Sequence, residues 1–144
     1  MIKGMGVDLV EVSRIKRIME KWEDKFLQRI FTVSEIKYCR KSRGTARKFA
    51  ARFAAKEAVL KMLGTGLRQG ITWQDIEVQN DQLGKPEINL SGQAEKIMHQ
   101  KHINRIHVSL SHENKFAIAQ VIGEEVNNGY SDSRTNAKDG QTDY

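Results

Sequence analysis

The first residues, MIKGMGVDLVEV, place Ile2, Gly4, Met5, Val7, Leu9 and Val12 among polar neighbours, with β-branched content. The alternation predicts a strand whose glycines permit close backbone approach. Ser13 is the expected N-cap of a helix, SRIKRIMEKW, with Ile15, Ile18, Met19 and Trp22 on one face. Arg14, Arg17 and Lys21 follow an i, i+3, i+7 spacing on another face. Phe26, Leu27, Ile30 and Phe31 suggest a further short helical piece, and Thr32 with Glu35 has capping-box spacing for a helix from about 33 to 42. The longest predicted helix runs from Thr45 to Leu63, rich in Ala, Lys, Arg, Leu and Glu. Phe49, Phe53, Val59 or Leu60, and Leu63 form its apolar stripe, and it stops at Gly64-Thr65-Gly66. A strand at 76–78, a turn at 81–86 and a return strand at 87–90 read as a hairpin. Ser91 caps a predicted helix to about His102, and strands at 106–111 and 115–122 follow. The order predicts an α+β fold, with a mostly antiparallel sheet and packed helices, rather than an alternating parallel-sheet pattern.

Charge divides the chain. There are 24 Lys plus Arg and 18 Asp plus Glu, a formal net charge of +6. Residues 123–144 contribute two basic and five acidic residues and, after Val126, no aliphatic residue larger than alanine. This stretch reads as a polar, disordered tail. Residues 1–122 then form one domain with 22 basic and 13 acidic residues, a net of +9. A basic body leaves nucleic acid, acidic protein and phosphate-bearing ligands open as partners. No apolar run approaches the roughly 20 residues of a membrane span. The single cysteine, Cys39, excludes an internal disulfide framework and a Cys-based zinc site. The expectation is a soluble intracellular domain.

Two groups of residues carry candidate chemistry. Asp8 lies within an apolar strand, where it either sits on an outward polar face or requires a neighbouring cation. Glu57 and Lys61 are i, i+4 neighbours, normally a solvated pair. Here Ala50, Ala54, Glu57 and Lys61 share one side of the helix, so small residues lead up to the charges. That arrangement suits a metal-phosphate site if a second carboxylate arrives, and Asp8 is the candidate. His99 and His102 read as surface residues; His107 and His112 flank a strand, with His112 at a turn where it reaches outward. The backbone N–H groups of Gly64-Thr65-Gly66 also suit a ligand's phosphate or amide groups. No phosphate-binding P-loop, dinucleotide glycine pattern or nucleophile elbow is present in the sequence.

Gly6-Val7-Asp8, followed by Phe53-Ala54-Ala55-Lys56-Glu57-Ala58-Val59-Leu60-Lys61, resembles the two signature motifs of the 4′-phosphopantetheinyl transferases. Length and motif spacing resemble the bacterial holo-acyl-carrier-protein synthases in particular. Gly64-Thr65-Gly66-Leu67, Gly84-Lys85-Pro86 and Val108-Ser109-Leu110-Ser111-His112 agree in order. The resemblance implies transfer of phosphopantetheine from coenzyme A to a serine of apo-acyl carrier protein, in fatty acid biosynthesis in the cytoplasm. It implies Mg²⁺ held by Asp8 and Glu57, with Lys61 on the coenzyme A diphosphate. Either Glu57 or a metal-bound water relayed by Asp8 takes the serine proton. Arg52 and His112 match contacts to the 3′-phosphate, joined by Arg43 or Arg47. Pro86 lines the nucleotide side, and Phe53, Gly64 and Gly66 belong to the cofactor-binding set. Arg14, Arg17 and Lys21 become the docking face for the acidic carrier, with Arg14 foremost. A homotrimer with sites between subunits is expected, with neither nucleic acid nor membrane as partner. The rivals are a small basic nucleic-acid-binding module and a non-catalytic carrier-binding protein.

Overall fold

The computed structural model describes residues 1–127. β1 (Ile2–Glu11) leads into four helices: α1 (Val12–Trp22), α2 (Asp24–Ile30), α3 (Val33–Arg40) and α4 (Thr45–Leu63). A short 3-10 turn precedes β2 (Ile76–Asn80) and β3 (Pro86–Leu90), and α5 (Gly92–Gln100), β4 (Arg105–His112) and β5 (Phe116–Glu124) complete the order. One sheet runs β1-β5-β4, and β2-β3 form a separate hairpin. Every pairing is antiparallel, so the α+β expectation holds.

α4 is the centre of the molecule. Phe49, Ala54, Ala58, Val59 and Leu63 have no exposed surface, and burial extends around nearly the whole helix rather than along one stripe. An alanine-rich helix is narrow enough for this, because its small side chains let neighbouring backbones approach. The helix ends at Gly64, whose φ of +73° suits glycine and whose N–H bonds back to the Lys61 carbonyl at 3.0 Å.

β1 lies on α4 with the face opposite to its apolar residues. Gly6 and Val10 are buried and Gly4 and Asp8 half-buried, whereas Met5, Val7 and Leu9 are exposed. A Cβ added to Gly6 would lie 1.9 Å from the Ala58 carbonyl oxygen, and one on Gly4 would lie 2.4 Å from that of Met62. Glycine therefore sets the strand–helix distance, and hydrophobicity alone misidentifies the inner face.

Smaller corrections share physical causes. α1 starts at Val12, and Ser13 donates to the Glu11 carboxylate instead of capping. Trp22 is exposed, under the Lys21 ammonium. Ser91 occupies the N-cap of α5 without a side-chain cap; Asp75 accepts from the Ala94 N–H at 3.3 Å in its place. α5 ends at Gln100, short of His102, which has a φ of +59°. The fold also takes in residues 123–126 of the expected tail. β5 runs to Glu124, Glu125 pairs with Lys3 at 3.0 Å, and the Val126 N–H bonds Asn104 at 2.7 Å. The tail from 128 onward lies outside the described residues.

Candidate active site

The close approach of β1 to α4 brings Asp8 over the turn of helix that carries Glu57 and Lys61. Lys61 Nζ donates to Asp8 Oδ1 at 3.1 Å and to the Val7 carbonyl at 2.9 Å. Glu57 is half-buried, and that burial raises its carboxyl above the ordinary glutamate range. The Asp8 charge raises it further, while Lys61 and Arg14 pull it back. Two carboxylates repelling each other beside one ammonium form a site with spare negative charge and hard oxygen donors. This donor set fits a divalent cation such as Mg²⁺, which takes one or two carboxylates and leaves positions for water and phosphate. Among the described residues no group of three or more Asp, Glu, His or Cys gathers, so a full protein cage for a metal is not built here.

Arg14 enters this site because α1 follows β1 directly and its first turn returns toward Glu57. Its charge acts on Glu57, so the residue expected to dock a carrier also borders the carboxylates. Arg17 and Lys21 are exposed further along α1.

Arg52 lies on another side of α4, facing β2. It is 4% exposed, stacks 4.0 Å over the Tyr38 ring and donates to Asn80 Oδ1 at 2.5 Å. Its Nε is buried and has no hydrogen-bond partner among the described residues. A cleft of about 450 Å³ opens here, lined by Ser34, Tyr38, Arg52, Asn80 and Gly84. An orphaned guanidinium N–H beside a polar cleft suits an anion. Pro86 lines a different cleft of about 580 Å³, with Lys85, Arg105 and His107. His112 is exposed at the end of β4, and among the described residues no hydrogen bond or ion pair joins it to Arg52 or Lys61. Arg47 reaches the β4–β5 turn through Asn114 at 3.3 Å, whereas Arg43 is exposed. Gly64 and Gly66 take positive φ, and Gly66 has open space around it. Phe53 packs 5.4 Å from Trp73 and 6.5 Å from Phe26, a core role.

Tyr38 and Asn80 escaped the sequence reading, as did a fully buried Lys56–Glu35 pair at 2.7 Å. A lysine one residue from a candidate catalytic glutamate reads as surface charge when burial all round the helix is not anticipated. Cys39 is buried, and burial pushes its thiol up to about 11, so it stays a neutral packing group.

Residues 4–121 match the family model described as the 4′-phosphopantetheinyl transferase superfamily. A holo-[acyl-carrier-protein] synthase of Halothermothrix orenii is 49% identical over 125 residues, covering 87% of this chain and 99% of its own. The crystal structure of a holo-[acyl-carrier-protein] synthase from Neisseria meningitidis aligns with a TM-score of 0.78 at 37% identity, covering 86% of this chain and 99% of that one. A Bacillus anthracis holo-(acyl-carrier-protein) synthase in complex with CoA (3′,5′-ADP) aligns with a TM-score of 0.71 at 39% identity, covering 88% and 99%.

Proposed function

This chain belongs to the 4′-phosphopantetheinyl transferase superfamily, and on that premise we propose how it converts an apo-acyl carrier protein to the holo form at the Asp8–Glu57–Lys61 cluster. The convergence of two carboxylates and a lysine at the β1–α4 contact carries this reading. In the reaction the carrier's serine oxygen bonds to the phosphorus that bears the pantetheine arm. The phosphorus–oxygen bond to the nucleotide half of coenzyme A breaks, and adenosine 3′,5′-bisphosphate leaves.

Asp8 and Glu57 would hold Mg²⁺, which when bound offsets the negative charge of the diphosphate. Lys61 turns its ammonium from Asp8 toward the same diphosphate and stabilises the leaving oxygen. Glu57, or a water relayed by Asp8, accepts the serine proton. Arg52 meets the 3′-phosphate with its guanidinium at the cleft, and Gly64 and Gly66 offer backbone N–H groups along the arm. Pro86 and His112 belong to the same ligand site. A site shared between copies would bring in His112, which among the described residues makes no hydrogen bond or ion pair to Arg52 or Lys61, whereas Pro86 already pairs with Asn80 beside Arg52.

The outer sheet face supports such sharing. Met5, Val7 and Leu9 on β1 and Ile118 on β5 are exposed together, with Leu9 paired to Ile118. An apolar patch of this kind marks an interface, and a homotrimer is the assembly we assign to it. Leu9→Asp is expected to yield monomers in light scattering with little transfer. A trimer of normal activity in that variant would refute the assignment.

Arg14, Arg17 and Lys21 present positive charge to an acidic carrier, with Lys21 over the exposed Trp22 ring. The +9 body is thus used by phosphate and carrier, which removes the need for a nucleic-acid partner. Because Arg14 also acts on Glu57, Arg17→Glu and Lys21→Glu are the cleaner tests of docking. Each is expected to raise KM for the carrier roughly tenfold, with KM for coenzyme A unchanged and the effect weakening in high salt. Equal effects on both substrates would discredit the docking face.

Among the described residues no helix is long and apolar enough to cross a membrane. We assign the reaction to the cytoplasm, in fatty acid biosynthesis. The deciding assay mixes the chain with coenzyme A, Mg²⁺ and apo-carrier and weighs the carrier by mass spectrometry. The expected mass gain is one phosphopantetheine; no gain alongside an active control would reject the transferase reading.

A further inference from the structure

The β2–β3 hairpin has only two strands, and an isolated pair is marginal in water. The edge of β2 that lacks a strand neighbour is instead held by two charged side chains from the helices. Lys56 Nζ has three protons to donate. It gives them to Glu35 Oε1 at 2.7 Å, to the Trp73 carbonyl at 3.1 Å and to the Ile76 carbonyl. Glu35 Oε1 also accepts from the Thr32 N–H at 2.9 Å, and Oε2 accepts from the Val78 N–H at 3.0 Å. Both side chains have no exposed surface.

Stability alone does not account for such a pair. Buried ion pairs are costly to desolvate, and apolar replacements of the same volume are often as stable. What an apolar pair lacks here is specific. It would leave the Ile76 carbonyl and the Val78 N–H without partners among the described residues, while the Trp73 carbonyl would keep only the Ile76 N–H. The charged pair thus governs the placement of one backbone stretch.

That stretch leads directly to the Arg52 cleft. Asn80 lies two residues beyond Val78 and accepts from Arg52, which sits one helical turn before Lys56. α4 therefore holds the hairpin at two levels on one side. On the side facing β1 it presents Lys61, and Glu57 beside it senses the Asp8 charge. The shape of the Arg52 cleft depends on how the hairpin seats on this helix, because Asn80 and Gly84 line it.

We propose that Lys56 and Glu35 are positioning residues that fix the Asn80–Pro86 end of the hairpin against Arg52, and so set the affinity for the nucleotide end of coenzyme A. The proposal rests on the transferase reading, because the nucleotide end of coenzyme A is the anion that the Arg52 cleft would take.

Glu35→Gln is the first test, since it keeps the volume and one acceptor but sets an NH₂ group against one of the donors. Calorimetric titration with coenzyme A and steady-state kinetics are run on the same folded preparation. Kd and KM for coenzyme A are expected to rise roughly tenfold, the equivalent of losing one charge-assisted hydrogen bond. At saturating coenzyme A, kcat and the carrier KM should stay within about twofold of the unaltered protein, since the Asp8–Glu57–Lys61 cluster is untouched. Lys56→Met should shift the same quantities in the same direction. A role limited to holding the fold would lower kcat per mole of protein and leave KM alone, and that result would overturn the proposal.

Amide hydrogen exchange tests the unaltered chain even if both variants fail to fold. The Val78 amide should exchange as slowly as the buried amides of α4, and rapid exchange would show that the edge is not held. Absence of coenzyme A binding by the unaltered protein would defeat the transferase reading and this proposal with it. Normal binding together with an unmoved Kd in Glu35→Gln would defeat the positioning role alone.

Discussion

Glu57→Gln is expected to lower phosphopantetheine transfer at least about a hundredfold and, in metal-free buffer near neutral pH, to raise the melting temperature. The two effects have one origin. Glu57 is a carboxylate that burial and the nearby Asp8 charge make unfavourable in its ionised form. Glutamine preserves the size and removes the charge, so it relieves the repulsion and abolishes the function that required it.

The pH dependence follows from the direction of the shift. The folded-state pKa lies above the 4.5 of an ordinary glutamate, so in the window just above 4.5 the folded protein binds more protons at this residue than the unfolded chain. Its contribution to stability therefore falls as pH rises through that window, and the ionised group remains a liability at neutral pH. Glutamine is indifferent to that titration. The difference in melting temperature between the two proteins should shrink as pH falls toward 4.5. Far-ultraviolet circular dichroism melts and the carrier mass assay supply both readouts. A variant that keeps near-normal turnover would remove Glu57 from the chemistry. One that loses turnover and also melts earlier would show that its charge is not strained.

The elements were largely legible because their signals are local. The Thr32–Glu35 capping box forms as spaced, with the Glu35 N–H bonding Thr32 Oγ1 at 3.3 Å. α4 begins at Thr45 and ends at Leu63, where good helix formers begin and Gly64 stops them. Asp8, Glu57 and Lys61 were recognisable because each motif is short and their convergence needs only one strand against one helix.

What escaped depends on faces and distant partners. Alternation in β1 showed a strand and its glycines a close approach, but not that the face with Gly4 and Gly6 is the inner one and Met5, Val7 and Leu9 the outer. Trp22 looked like core on a helical wheel and is exposed because α1 ends there, at a turn with Glu23 at a φ of +49°. Lys56 and Glu35 lie 21 positions apart in the chain, and nothing local tells that both lose all contact with water. Arg52 was legible as a cation but not as one stacked on Tyr38 and held by Asn80. Such partnerships arise only when hairpin, α3 and α4 meet.

Gly6→Ala is expected to cause the largest loss of stability of any single methyl group added to this chain, and to disable the site as well. The added Cβ would lie 1.9 Å from the Ala58 carbonyl oxygen, 2.8 Å from its carbon and 3.0 Å from the Met62 nitrogen. All three are backbone atoms of the central helix, so no rotamer change relieves the clash. β1 would have to retreat by roughly 1.5 Å to reach ordinary contact. Overpacking typically costs 1–3 kcal/mol, and a clash with fixed backbone should fall at about 3 kcal/mol or beyond. For a domain of this size that corresponds to a fall of roughly 10 °C in melting temperature. The same retreat carries Asp8 and the Val7 carbonyl away from Lys61, which now lies 3.1 and 2.9 Å from them. Transfer measured well below the melting transition should therefore fall at least about tenfold, a loss that reduced folding cannot explain. Gly66→Ala is the matched control for stability, because Gly66 has a φ of +58° and a Cβ added there would meet no atom of the described residues within 4 Å. It should cost about 1–2 kcal/mol of backbone strain and melt only a few degrees early. If Gly6→Ala melts no earlier than Gly66→Ala and still transfers normally, then the close approach of β1 to α4 is not what assembles the carboxylates and the lysine.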